Sequence, residues 1–331
     1  MKRLWVIALV LVMLAAGVVQ AQDGDDSDLP PAPGELIDVG GYSLHLYCTG
    51  EGGPAVILDA GLGDWSINMA NLQEQIAEFT QVCTYDRAGY GWSDEGPEPR
   101  TSQQIVDELA ALLENGEVEP PYILAGHSFG GVNVLMFAAQ HPELVEAVVL
   151  LDASHPEQMD ALNAEVPEIV ALEESAAVAY QGMLEMAEAG APVPQEMLDA
   201  FRPQGITDEQ FEIWSQVVVQ PKSLRAMINE LASLNDSLAQ AQEVDTLGDI
   251  PLVVIAHGVK LGDMMTDEDL AAMGVTREIM DTYEALWRGF QEDYLTYSTD
   301  STLVIADQSH HYVYVTQPDL VVEAIQELIS D

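Results

Sequence analysis

The chain has 331 residues, with 56 acidic side chains against 10 basic ones and a formal net charge of −46. A field this negative repels nucleic acid and anionic membrane surfaces, so neither is an expected partner. The acids are dispersed among apolar residues, which excludes a disordered acidic tail. Two readings of the charge stay open: a surface adapted to high salt, where self-repulsion is screened, and the composition of a lineage.

At the N-terminus, Lys2 and Arg3 precede an apolar run from Leu4 to Val19, closed by Val19-Gln20-Ala21 ahead of QDGDDSD. This is the layout of a secretory signal peptide over residues 1–21, and it implies a secreted or periplasmic protein. The alternative is an uncleaved anchor, for which the run is short of the ~20 residues a spanning helix needs. Residues 22–34 carry charge, Pro and Gly without periodicity and read as a flexible acidic leader. No second long apolar run follows, so no membrane contact is expected after cleavage. The ~300 residues that remain suffice for one large α/β domain with an insertion.

ELIDVGG and YSLHLYCTG read as two strands split by Gly40-Gly41, a hairpin signal. AVILDAG is a short apolar run ending in glycine, as in a buried strand. A helix near Asn71 to Glu78 leads to strand TQVCTYDRAG. Thr101-Ser102-Gln103-Gln104 resembles a capping box opening helix IVDELAALLE. Strand YILAGHS, helix VNVLMFAAQ and strand EAVVLLDAS follow. From His155 onward, helical stretches with Met and Leu at spacings of three and four dominate: EIVALEESAAVAY, MLEMAEA, QEMLDAF and LRAMINELASL. Only VVVQ reads as β-rich there. Alternation then resumes with strand IPLVVIAHG, helix REIMDTYEALWRGFQEDYL, strand STLVIADQS and helix PDLVVEAIQELI, which has Pro in its first turn. The expected fold is α/β: a mostly parallel sheet flanked by helices, with an α-helical insertion after the sixth strand. The core spans 35–154 and 246–331, and the insertion 155–245.

The strongest chemical signal is Gly126-His127-Ser128-Phe129-Gly130, a G-x-S-x-G run between strand YILA and a helix. A turn this sharp needs small residues two before and two after the serine. It exposes the hydroxyl at a helix N-terminus, whose dipole favours developing negative charge.

Together with LHLYCTG, VILDAGLGDWS, TYDRAGYGWSD, AGHSFGGV and QSHHYVYVTQPDLV, this run resembles the α/β-hydrolase fold along nearly the whole mature length. The resemblance implies a serine hydrolase with a helical cap. Its oxyanion loop aligns with Ala60-Gly61-Leu62-Gly63, with Ala60 in place of the usual histidine, and implies donor amides at Leu62 and Phe129. The late-chain histidine seven residues before the proline of Gln317-Pro318 is His311, with His310 where the family has glycine. An imidazole suits a general base because it titrates near working pH. The family acid follows either the sixth or the seventh strand. Asp152 stands at a strand end, where catalytic groups converge in open sheets, and is preferred over Asp263. The nucleophile, base and acid implied are thus Ser128, His311 and Asp152. His155, near Asp152, reads as a helix-start polar residue. Asp86-Arg87 resembles the family's structural turn after the fourth strand. The family's strand order sets strands two and four side by side and thereby implies a disulfide between Cys48 and Cys83. No HExxH run or Cys/His cluster occurs, so no metal or other cofactor is expected. The expected partner is a small-molecule substrate, with a carboxylic ester as the default and carbon–carbon or amide bonds, or ligand binding without catalysis, as rivals.

Overall fold

A computed structural model describes residues 30–330. The expected signal peptide and the leader as far as residue 29 lie outside them. A hairpin of β1 (Glu35–Asp38) and β2 (Ser43–Thr49) turns at Gly40 and Gly41, both at positive φ, which glycine adopts without steric cost. There follow β3 (Ala55–Asp59), α1 (Ser66–Ile76), β4 (Val82–Tyr85), α2 (Ser102–Asn115), β5 (Tyr122–His127), α3 (Phe129–Gln140) and β6 (Val145–Leu151). Next come six helices without a strand: α4 (Gln158–Glu165), α5 (Pro167–Glu188), α6 (Gln195–Ala200), α7 (Asp208–Val217), α8 (Pro221–Ala232) and α9 (Leu234–Ala241). The chain closes with β7 (Leu252–His257), α10 (Asp267–Ala272), α11 (Arg277–Asp293), β8 (Ser301–Ala306), α12 (Val313–Thr316) and α13 (Pro318–Ser330).

The strands form one eight-stranded sheet in the order β1-β2-β4-β3-β5-β6-β7-β8. β2 runs antiparallel to both of its neighbours, and every other pairing is parallel. Strand periodicity divides the apolar residues between two faces. Ile57, Leu124, Val148 and Val254 meet Leu109, Val134, Leu135 and Leu238 from α2, α3 and α9. Val56, Ile123, Val149 and Ile255 meet Met69, Leu72, Val321 and Ile325 from α1 and α13. Each such fully buried side chain contributes about 2 kcal/mol of transfer free energy. Cys48 and Cys83 are directly opposed in β2 and β4 and are joined by a disulfide.

Several local details differ from the periodicity reading. α1 begins at Ser66, earlier than Asn71, because the Ser66 amide donates to Asp86 Oδ1 (2.9 Å) and the Trp65 amide to Asn68 Oδ1 (3.2 Å). Only half of the expected capping box forms: Thr101 Oγ1 accepts from the Gln104 amide (3.4 Å), while the Gln104 side chain donates to Glu108 (3.1 Å). EIVALEESAAVAY and MLEMAEA are one continuous helix, α5. VVVQ is not a strand. Val217 ends α7 and packs fully buried beside Trp65, Tyr90 and Trp214, so tertiary context overrides the β preference of a valine run.

The helices after β6 do not all act as one cap. α9 lies with α2 and α3, and its Leu238 and Ala241 belong to the main core. α4 and the start of α5 pack through Leu162, Val166 and Ile169 onto Leu270 and Met280 of α10 and α11. α7 and α8 set Trp214, Val217 and Met227 over Trp65 and Tyr90, which follow β3 and β4.

Candidate active site

Two backbone features converge at the C-terminal edge of the parallel strands. Ser128, between β5 and α3, takes φ 51° and ψ −120°. Asp152, immediately after β6, takes φ 48°. Positive φ in a non-glycine residue costs on the order of 1–3 kcal/mol, and persists where the surroundings over-determine it. Here they do. The Ser128 amide donates to Leu151 O (3.2 Å), and the Ser154 amide donates to Ser128 O (3.0 Å), which ties the elbow to the turn that carries Asp152.

The glycines around Ser128 are required by space. A Cβ on Gly126 would lie 2.4 Å from Gly130 O, one on Gly130 would lie 2.3 Å from Asp59 O, and one on Gly131 would lie 2.3 Å from Ala153 Cβ. The Ala60–Gly63 loop also packs against the elbow, since a Cβ on Gly61 would come 2.9 Å from His127 Nδ1 and 3.4 Å from Ser128 Cβ. Arg87 fixes this loop from beneath. Its guanidinium donates to Ala60 O (2.7 Å), Gly61 O (2.8 Å), Asp59 (2.9 Å) and both Glu230 carboxylate oxygens (2.7 and 3.0 Å). Glu230 belongs to α8, so the covering helices are tied to the loop through a buried ion pair. Among the described residues, the Leu62 and Phe129 amides have no acceptor within the protein. Two free donors beside a serine at a helix N-terminus are the material of an oxyanion site.

His311 lies after β8, and its Nδ1 is 2.7 Å from Asp152 Oδ2. Asp152 is fully buried. Burial acts to raise its pKa, but hydrogen bonds from His257 and His311 hold the carboxyl well below the ordinary range. Asp263 lies exposed in a 3-10 turn, Leu261–Met264, and has no hydrogen bond to His311. His310 turns away, with Nε2 2.9 Å from Gln204 Oε1. His127 is buried beside His311, ring centroids 4.6 Å apart. Burial, with the charge of His311, pushes its pKa down to about 3, so it stays neutral. His155 is buried under α11, stacked on Phe290 (5.0 Å) with Nε2 3.2 Å from Asp293. No hydrogen bond joins the Ser128 hydroxyl to His311 in this structure. Such contacts commonly close only when substrate binds.

Two groups at this edge escaped the sequence reading. Asp64, next to the Ala60–Gly63 loop, accepts from Asn68 Nδ2 (2.8 Å), and its charge faces His311 and Tyr312. His257 closes β7 against Asp152, with Nδ1 2.8 Å from Oδ2. The available signal for His257 was its place at the C-terminal end of a buried parallel strand, the position that singled out Asp152. Among the described residues no group of three or more His, Cys, Asp or Glu side chains is arranged to hold a metal ion.

The sheet order, the strained serine and the histidine–carboxylate contact together define one class of fold. The profile of the alpha/beta hydrolase family matches residues 56–324, and the chain belongs to that family. Among solved structures, it is similar to the epoxide hydrolase CorEH, with a TM-score of 0.61 at 18% identity over 89% of this chain and 97% of that one. It is also similar to a thermophilic esterase from Thermogutta terrifontis, with a TM-score of 0.58 at 19% identity over 87% of this chain and 93% of that one. In sequence it is similar to the uncharacterized protein YbdG of Bacillus subtilis (strain 168), 28% identical over 171 residues, which cover 48% of this chain and 53% of that protein. The chain spans about half the length of the curated relatives it matches first, or less.

Proposed function

We propose that this hydrolase cleaves a small carboxylic ester through an acyl-enzyme at Ser128. In this reading Ser128 attacks the carbonyl carbon and His311 takes its proton. The Leu62 and Phe129 amides stabilise the oxyanion, and Asp152 orients the imidazole and offsets the charge it gains. His311 then returns the proton to the departing alcohol, and a water activated by the same imidazole releases the acid. The observation that carries the reading is the pairing of a strained serine after β5 with a His311–Asp152 contact of 2.7 Å at the same edge of the sheet. A serine at this position argues against epoxide opening, for which members of the fold use an aspartate nucleophile. Export through the expected signal peptide is part of the proposal. The Cys48–Cys83 disulfide supports it, because an oxidising compartment lets such a bond persist.

A fluorophosphonate probe tests the nucleophile. The folded protein is expected to label at Ser128, Ser128→Ala to stay unlabelled, and a panel of aryl esters to show turnover. Folded protein that does not label defeats the reading in favour of ligand binding without catalysis. Labelling without ester turnover moves the substrate to amide or carbon–carbon bonds.

A further inference from the structure

The ring of His257 lies between two carboxylates. Nδ1 is 2.9 and 2.8 Å from Asp152 Oδ1 and Oδ2, and Nε2 is 2.9 Å from Glu284 Oε2. The Asp152 side chain is fully buried and that of Glu284 is 4% exposed, so water does little to screen either. A neutral imidazole carries one N–H, and its other nitrogen would present a lone pair to a carboxylate oxygen at hydrogen-bond distance. Only the imidazolium satisfies both contacts with both acids ionised. The backbone holds this arrangement in register. The His257 amide donates to Asp152 Oδ1 (3.0 Å), the Leu261 amide donates to Glu284 Oε1 (2.7 Å), and Arg288 donates to the His257 carbonyl. Asp152 Oδ2 is shared by His257 and His311.

We infer that His257 is a positioning residue: as a cation held by Glu284, it fixes the Asp152 carboxylate toward His311 and takes up part of its charge. The inference rests on the reading of His311 as the base. It lengthens the expected chain of three residues to Ser128, His311, Asp152, His257 and Glu284, the last two acting only through Asp152.

The groups around His257 set the sign of the effect. Asp152 reaches it from the end of β6, Glu284 and Arg288 from α11, and His310 and His311 from the segment after β8. Lys260 and Asp281, paired at 3.2 Å, line a cavity together with Asp152, His257 and Glu284. Burial alone would lower the pKa of His257, but hydrogen bonds and charge from Asp152 and Glu284 raise it to about 9. Below that pH a cation therefore sits beside Asp152 and opposes protonation of His311.

The test is His257→Gln, which keeps an amide donor and removes the charge. With Asp152 serving His311 alone, the acid limb of kcat/KM is expected to move up by about one pH unit, the scale of one neighbouring charge. At pH values on that limb kcat is expected to fall while KM is unchanged, because in this inference His257 acts only through Asp152. An acid limb that stays in place overturns the inference. Should the variant fail to fold, imidazole nitrogen NMR of the 15N-labelled wild type at pH 7 decides instead. Protons on both His257 nitrogens support the inference, and a neutral tautomer overturns it. That measurement is independent of activity, so it is distinguishable from a failure of Ser128 to label.

Discussion

The sheet edge and the helices that cover it are built to different tolerances. Every residue of β3, β4 and β5 is buried, and the turns beyond β3 and β5 leave no space for a single extra methyl at Gly126 or Gly130. α5 in the covering layer exposes Val178 by 72%, and the apolar cluster it shares with α8 is small, centred on Met183, Leu184 and Leu224. Native interiors resist volume changes of one methylene, whereas loosely covered surfaces do not. The difference divides the labour of the molecule. The crowded edge holds Ser128, His311 and Asp152 in one geometry, while the looser layer leaves more room for its side chains to vary. The two meet at Glu230, which reaches from α8 to the Arg87 that holds the carbonyls of Ala60 and Gly61.

The largest effect is expected where the edge is tightest. Asp152→Asn should lower kcat by about 10^4-fold, because an amide presents the wrong hydrogen-bond pattern to His311. Asp263→Asn, on an exposed turn, should leave turnover unchanged. Equal rates for the two variants, read by ester hydrolysis or fluorophosphonate labelling, would remove Asp152 from the chemistry. The next effect concerns stability and also belongs to the core alone. Both cysteines lie in β2 and β4, 35 residues apart, and a closed loop of that length restrains the unfolded chain by about 3–4 kcal/mol. Replacing both by serine should therefore lower the urea midpoint by the corresponding amount. An unchanged midpoint would mean that the strand pairing needs no covalent tie.

Legibility in the sequence followed the same division. The central strands β3, β4 and β5 declared themselves as apolar runs because both of their faces are buried. Ser128 was legible because its conformation demands glycines at fixed offsets, and the position of His311 relative to Pro318 came with the resemblance. His257 was not legible. Its partners Asp152 and Glu284 lie 105 and 27 residues away in sequence, and no local spacing records a contact that the order of strands creates. The limits of α5 were hidden for the opposite reason. Gln181-Gly182 interrupts the apolar pattern, yet the helix runs through it, because one glycine costs only about 1 kcal/mol. The half-formed box at Thr101 is a third case. The Gln104 side chain had a competing partner in Glu108, which itself is paired with the buried Arg100 (2.5 Å).

Two glycine substitutions sharpen the contrast most directly, because the same methyl group is added on either side of it. Gly130→Ala drives a Cβ to 2.3 Å from Asp59 O and 2.7 Å from Ala60 O. Neither carbonyl can retreat freely, since Arg87 holds the Ala60 carbonyl and β3 holds the other. The expected cost is about 3 kcal/mol, with loss of the loop geometry that Leu62 needs as a donor. Gly182→Ala adds its methyl on an exposed face of α5, where nothing lies within 4 Å. Alanine has the higher helix propensity and restricts the unfolded chain, so this variant should be more stable by about 0.8 kcal/mol. In a domain of this size the gain is about 2 °C in the thermal midpoint. Because Gly182 makes no contact toward the serine, kcat should not change. A Gly182→Ala protein that is destabilised would show that α5 packs as tightly as the sheet edge, and the division between the two regions would fail.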